Sequence, residues 1–154
     1  MNSNPGPITI LMADDDADDR MMTADAFREC RLNNPLQFVV DGEELMDYLH
    51  RRGRFGDDIR HPMPGLILLD LNMPRKDGRE ALHEIKSDPG LRQIPVVILT
   101  TSKAEEDIAR SYQQGVNSFI TKPVSFAALI DVVCAFSRYW FEIVNLPEDG
   151  VDGP

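Results

Sequence analysis

Residues at four places in this chain have the types needed for one piece of chemistry. Asp14, Asp15 and Asp16 stand in a row after an apolar run. Asp70 ends a second apolar run, Thr100 and Thr101 end a third, and Lys122 precedes Pro123. Carboxylates gathered in one crevice repel one another, and a hard divalent cation or a lysine ammonium relieves the repulsion. Mg²⁺ suits such oxygen ligands and keeps waters that a phosphoryl group can replace, with Mn²⁺ as the second choice. A carboxylate is a weak nucleophile, but it can attack phosphorus and form an acyl phosphate. The charge that develops on the equatorial oxygens then needs a cation and hydroxyl or amide donors. In this reading Asp70 is the nucleophile, Lys122 supplies an ammonium and Thr100 a hydroxyl.

Taken singly, each feature has an ordinary explanation. Asp14 to Asp19 is also a charged helix start, since acidic residues favour helix N-termini. An EF-hand with oxygens from Asp14, Asp16 and Asp18 fails, because Asp19 stands where the loop needs glycine and Asp25 where it needs glutamate. Asp70 alone is a strand-end turn former, and the Leu71-Asn72-Met73-Pro74 and Asp77-Gly78 that follow make it a motif. Lys before Pro is common in loops, and Thr suits both strands and caps. His50, His61 and His83 lack ligand spacing and read as surface histidines, and the methionines as core filler. Joint placement therefore carries the weight.

The elements that must position these residues alternate. Strand signals fall at Ile8 to Met12, Leu36 to Val40, Leu66 to Leu69, Ile94 to Leu99 and Val116 to Thr121. Met21, Ala24, Phe27 and Cys30 recur at helical spacing. Further helices are predicted over Glu43 to His50, Arg79 to Ser87, Ser102 to Gly115, and Ser125 to about Val144. Residues 51–64 are Gly/Pro-punctuated and predict an exposed loop. Leu66 to Leu69 is apolar on both faces, which suits a strand covered on both sides. The expectation is an α/β fold, a doubly wound five-stranded parallel sheet with five helices. Its ligands should bind at the carboxyl ends of the strands, where all four places fall. One domain over 8–146 is expected, with a flexible 1–7 and a disordered tail at 147–154.

Composition narrows the function classes. The chain has 154 residues, 42% hydrophobic and 27% charged, with a net charge of −10. One domain with a real core fits that length. An acidic chain is repelled by nucleic-acid backbones and anionic membranes, so neither is an expected partner. Cys30 and Cys134 have no metal-ligand or CxxC spacing and read as free buried thiols. With no leader-like or membrane-spanning run, a cytoplasmic location is expected.

The chain resembles the receiver domain of two-component response regulators along nearly its full length. The matching segments are ILMADDD (10–16), LILLDLNMPRKDG (66–78), IPVVILTTS (94–102) and GVNSFITKP (115–123). Among receivers it is most similar to the small single-domain regulators paired with phytochrome-type histidine kinases. LDLNMPRKDG, the long loop before the third strand and the aromatic tail FSRYWFEIVNLP (136–147) suggest that subgroup. The resemblance implies a flavodoxin-like fold and a phosphorelay with Asp70 as phosphoacceptor. It also implies that Asp15 binds Mg²⁺ directly, Asp14 acts through water and Asn72 offers its backbone carbonyl to the metal. Thr100 and Lys122 would contact the phosphoryl oxygens, and Phe119 takes the aromatic switch position. Many receivers have Tyr there, so switching through Phe119 would rest on ring packing alone. The three aspartates leave the register of the metal pair open by one. Placing it at Asp14 and Asp15 requires the first strand to end at Ala13, with Asp16 as N-cap.

Two other functions compete. A haloacid-dehalogenase-type phosphohydrolase also uses an aspartate nucleophile and Mg²⁺, but its general acid is an aspartate two residues on, where this chain has Asn72. A phosphorylation-independent adaptor would be expected to have lost an aspartate or the lysine. After Pro123 there is room for one helix and a tail, so output is expected through docking or onward transfer. Leu129, Val133, Phe136 and Trp140 form one apolar stripe on the last helix, and Ile130, Cys134 and Phe141 widen it. With Tyr139 to Phe141 overhanging the sheet, a homodimer through the fourth helix, fifth strand and last helix is expected. The competing arrangement folds these aromatics over the 51–64 loop.

Overall fold

The computed structural model describes residues 8–71, 73, 75–76, 78–100, 118–121 and 127–135, with residues 100 and 118–121 described by their backbone. Five strands pair in parallel: β1 (Ile10–Ala13), β2 (Leu36–Val39), β3 (Leu66–Asp70), β4 (Val96–Thr100) and β5 (Ser118–Thr121). Their order in the sheet is β2-β1-β3-β4-β5. The order reverses between β1 and β3, the switch point where such sheets bind ligands beyond the carboxyl ends. β3 is buried along its whole length, as its uninterrupted apolar run requires.

Helices α1 (Ala17–Glu29), α2 (Gly42–Leu49) and α3 (Gly78–Ser87) lie between strands in the chain, and residues 127–135 are helical. The described residues fall into two compact units, one within 1–20 and 34–122 and one within 21–33 and 123–154. In the first, Leu11, Ala13, Val39, Ile67, Leu69, Val96 and Ile98 of the sheet share a core with Leu45, Met46, Tyr48 and Leu49 of α2 and Ala81, Leu82 and Ile85 of α3. Alternate positions of β1, β3 and β4 enter this core, as the period of two demands. In the second unit Ala26, Phe27 and Val133 are buried.

Element ends differ from expectation for reasons visible in the hydrogen bonds. β2 stops at Val39, because the Val40 amide donates to Glu44 Oε1 at 2.9 Å. β4 starts at Val96 rather than Ile94: the Ile94 amide donates to Leu91 O, and Pro95 has no amide to give. Both α1 and α2 close with an arginine in the left-handed region, Arg31 at φ 59° and Arg51 at φ 62°. There the Leu32 amide reaches Phe27 O and the Arg52 amide reaches Asp47 O, the bonds of a Schellman ending. The predicted helix over Ser102 to Gly115, the outer parts of the last helix, and the termini at 1–7 and 147–154 lie outside the described residues.

The 51–64 segment is not simply an exposed loop. It contains a 3₁₀ turn (Gly53–Gly56) whose Phe55 is buried. Tyr48, Phe55 and His61 form a ring cluster with centroids 5.0–5.6 Å apart, so His61 is packed rather than a free surface histidine. The Tyr48 hydroxyl donates to Pro62 O at 2.7 Å. Burial pushes the Tyr48 phenol up to about 12, against a smaller opposite pull from Arg51. A raised folded-state value stabilises the fold fully below the ordinary phenol range near ~10 and loses that contribution as pH rises toward 12. The amount at stake is about 3 kcal/mol. In a phenolate absorbance titration, Tyr48 is expected to contribute a step near 12. Tyr48→Phe should remove that step and flatten the alkaline fall in Tm; a titration unchanged by Tyr48→Phe in that range would contradict it.

Candidate functional site

β1 and β3 are paired with Ala13 opposite Leu69, so the residues that leave these strands side by side are Asp14 and Asp70. Asp14 is fully buried, Asp70 is 3% exposed, and Asp15 lies in solvent. One carboxylate oxygen from each of Asp14, Asp15 and Asp70 falls within 4.8 Å of the others. β1 ends at Ala13, and Asp16 takes the helix end: its Oδ1 accepts from the amides of Asp18 at 2.8 Å and Asp19 at 3.2 Å. Asp16 is thereby the cap of α1 and does not join the cluster.

Asp14 is held along its whole length. Its amide donates to Val39 O at 3.0 Å, its carbonyl accepts from Arg20 Nη1 at 2.8 Å, and its Oδ1 accepts from the Asp16 amide at 2.9 Å. Ionised carboxylates this close repel by about 3 kcal/mol per pair at an effective dielectric constant of about 20. A donor set of carboxylate oxygens alone, two of its three members buried, fits a hard divalent cation such as Mg²⁺ or Mn²⁺.

Two glycines fix the segment that follows Asp70. Gly78 opens α3 with its amide donating to Leu71 O at 3.1 Å. A Cβ on Gly78 would stand 2.4 Å from Asp70 O and 2.6 Å from Leu71 Cα. Gly42 opens α2 and donates to Lys76 O at 2.9 Å, where a Cβ would stand 2.1 Å from the same oxygen. Asp41 caps α2 by accepting the Glu44 amide at 2.7 Å, with Arg75 Nη1 3.6 Å from its other oxygen. Arg75 is itself left-handed, at φ 63°. In sequence, Asp41-Gly42 reads as the turn that closes the second strand, and Asp77-Gly78 only as part of the motif that follows Asp70. The repeated Asp-Gly was the available signal that backbone must approach backbone there. The part of Arg20 in holding Asp14 had no signal in spacing.

The other expected site residues divide as follows. Thr100 ends β4 one residue beyond the Asp70↔Leu99 pair, and Phe119 sits in β5 opposite Ile98; their backbones alone are described. Asn72, Lys122, Tyr139, Trp140 and Phe141 lie outside the described residues. Ile130 and Cys134 are half-buried on the helix at 127–135. The reading of Cys30 and Cys134 as free thiols is overturned: they form a disulfide, with Cα atoms 5.4 Å apart. Both cysteines sit near helical segments distant in sequence, which no spacing rule detects. The bond also removes the Cys134 sulfur from the side chains free for a dimer surface. No helix among the described residues is long and apolar enough to cross a membrane.

Comparison with known proteins agrees with this geometry. The family profile described as Response regulator receiver domain matches residues 10–134. Response regulator Rcp1 of Synechocystis sp. is 40% identical over 145 residues, 94% of this chain and 96% of that protein. The crystal structure of the phosphorylated cyanobacterial phytochrome response regulator RcpA superposes with a TM-score of 0.78 at 40% identity, covering 88% of this chain and 95% of that one. The Mn²⁺-bound form of Rcp1 gives a TM-score of 0.76 at 38% identity, covering 88% and 96%.

Proposed function

This chain belongs to the response regulator receiver family, a phosphorelay response regulator by that membership, and we propose that Asp70 is its phosphoacceptor. The observation that carries the reading is the meeting of Asp14, Asp15 and Asp70 at the switch point of the sheet. A carboxylate oxygen of Asp70 attacks the phosphorus of a kinase phosphohistidine. The O–P bond forms, the N–P bond breaks, and the electron pair remains on the imidazole nitrogen. Asp14, Asp15 and Asp70, with the backbone carbonyl of Asn72, would hold Mg²⁺ or Mn²⁺. When bound, the cation neutralises charge on the incoming phosphoryl group. Thr100 and Lys122 contact the phosphoryl oxygens and Phe119 transmits the change. The chain promotes its own phosphorylation and dephosphorylation and turns over no other substrate, so a panel of phosphomonoesters should go unhydrolysed.

The kinase is of the phytochrome type, a reading supported by the phytochrome response regulators among its structural relatives. It is placed in the cytoplasm, where such a kinase presents its histidine, and neither nucleic acid nor membrane is a partner. The receiver domain spans 8–146. Output runs through a homodimer surface on the fourth helix, fifth strand and last helix, with Ile130, Tyr139, Trp140 and Phe141 on the last, which phosphorylation favours.

Analytical ultracentrifugation with and without acetyl phosphate tests this output. Wild type should become dimeric on phosphorylation. Trp140→Glu with Phe141→Glu should take up the phosphoryl group and stay monomeric. Lys122→Ala should also be phosphorylated without the shift in mass, because the buried negative charge has lost its partner. Wild type that is monomeric at high micromolar concentration in both states excludes the dimer. A normal shift in Lys122→Ala excludes its coupling role.

A further inference from the structure

Cys30 lies just past the end of α1 and Cys134 lies in the helix at 127–135, both within the second compact unit. They are 104 positions apart in sequence, yet their Cα atoms stand 5.4 Å apart, inside the range a disulfide requires. A second contact shows how the helix end docks. Cys30 Sγ lies 3.4 Å from the carbonyl oxygen of Ile130, one helical turn before Cys134, so the sulfur sits along that turn. Each cysteine is half-buried, which leaves the bond within reach of a small thiol. The chain has two cysteines, so no third thiol competes for the pairing.

We propose that Cys30 and Cys134 are a reversible thiol–disulfide pair, a modification site separate from Asp70, whose oxidant is a low-molecular-weight disulfide of the glutathione type. One cysteine thiolate attacks the small disulfide, forms a mixed disulfide and releases one small thiol. The other cysteine then attacks the protein-bound sulfur and releases the second. The protein gives up two electrons and two protons, and the oxidant becomes two thiols. Excess small thiol reverses both steps. The oxidised form ties the end of α1 covalently to the helix at 127–135, closing a loop that contains β2 to β5 and Asp70. A bond across so long a loop restricts the unfolded chain strongly.

The test uses the full chain, reduced and then exposed to oxidised glutathione, with free thiols trapped by N-ethylmaleimide under denaturing conditions. The expected product is a monomer lighter by two hydrogens that carries no maleimide, and dithiothreitol should return two alkylatable thiols. Tm of the oxidised chain should exceed that of the reduced chain by about 10 °C. Cys30→Ser and Cys134→Ser should each hold one glutathione instead, with no such gain in Tm. Two alkylated thiols after oxidant, oxidation only between chains, or equal Tm in the two wild-type states would each overturn the proposal.

Discussion

Asp70→Asn is expected to take up no phosphoryl group from acetyl phosphate, and wild type is expected to take up none once divalent cations are chelated. The substitution keeps shape and volume but replaces a carboxylate oxygen with an amide that cannot form an acyl phosphate. Asp70 is buried at the end of β3 beside Asp14, so no other carboxylate can occupy its place in the cluster. Neutralising one of three converged carboxylates also relieves repulsion of about 3 kcal/mol per pair. The variant's Tm in cation-free buffer should therefore be at or above that of wild type, which separates lost chemistry from lost fold. For wild type, Mg²⁺ or Mn²⁺ should raise Tm and restore labelling together, whereas Ca²⁺, larger and less tied to octahedral geometry, should support less. Intact mass reads the labelling. Equal uptake by wild type and Asp70→Asn would remove Asp70 from the reaction. Uptake undiminished by chelation would remove the cation.

Gly78→Ala should damage the same reaction without touching any reacting atom. The new methyl would stand 2.4 Å from Asp70 O and 2.6 Å from Leu71 Cα, and both are backbone. Nothing at the end of a flexible side chain can swing away, so the chain on either side of Asp70 must move. Overpacking of this kind costs about 3 kcal/mol, or about 10 °C in Tm. A shift of about 1 Å in a reacting carboxylate costs on the order of 100-fold in rate. Gly42→Ala should act in the same direction from the other side, because its methyl would stand 2.1 Å from Lys76 O. Gly90→Ala is the control. Its nearest neighbour, Asp88 Oδ1 at 3.4 Å, is a side-chain tip, so both stability and labelling should stay close to wild type. Phosphorylation rates and thermal melts of the three variants decide the matter. A Gly78→Ala protein with the melt and rate of Gly90→Ala would show that the clamp on the Asp70 segment is not needed.

What the sequence determined by itself was whatever neighbouring residues decide. The apolar run from Leu66 to Leu69 announces a strand buried on both faces because no polar side chain interrupts it, and β3 is so buried. Asp16 announces a helix start because its side chain reaches amides two and three residues on, a contact that needs no distant partner. The alternation of strands and helices then leaves few parallel topologies, so the carboxyl-end placement of Asp14, Asp15 and Asp70 was legible before any coordinates. Element ends were less so, because Val40 and Ile94 give their amides to Glu44 and Leu91 instead of continuing a strand. Only the tertiary structure decided the contacts between segments far apart in the chain. Composition made 51–64 a loop, but Tyr48 and Phe55 gather His61 into a ring cluster because the loop returns over α2. Asp41-Gly42 reads as a turn and Asp77-Gly78 as part of a motif, yet each glycine is required because another backbone passes within van der Waals reach. Two cysteines without a motif read as thiols, yet α1 and the helix at 127–135 bring them into a bond across 104 positions. Local patterns record what a residue prefers for itself, while these pairings depend on where the whole chain returns, and spacing along the chain carries no measure of that.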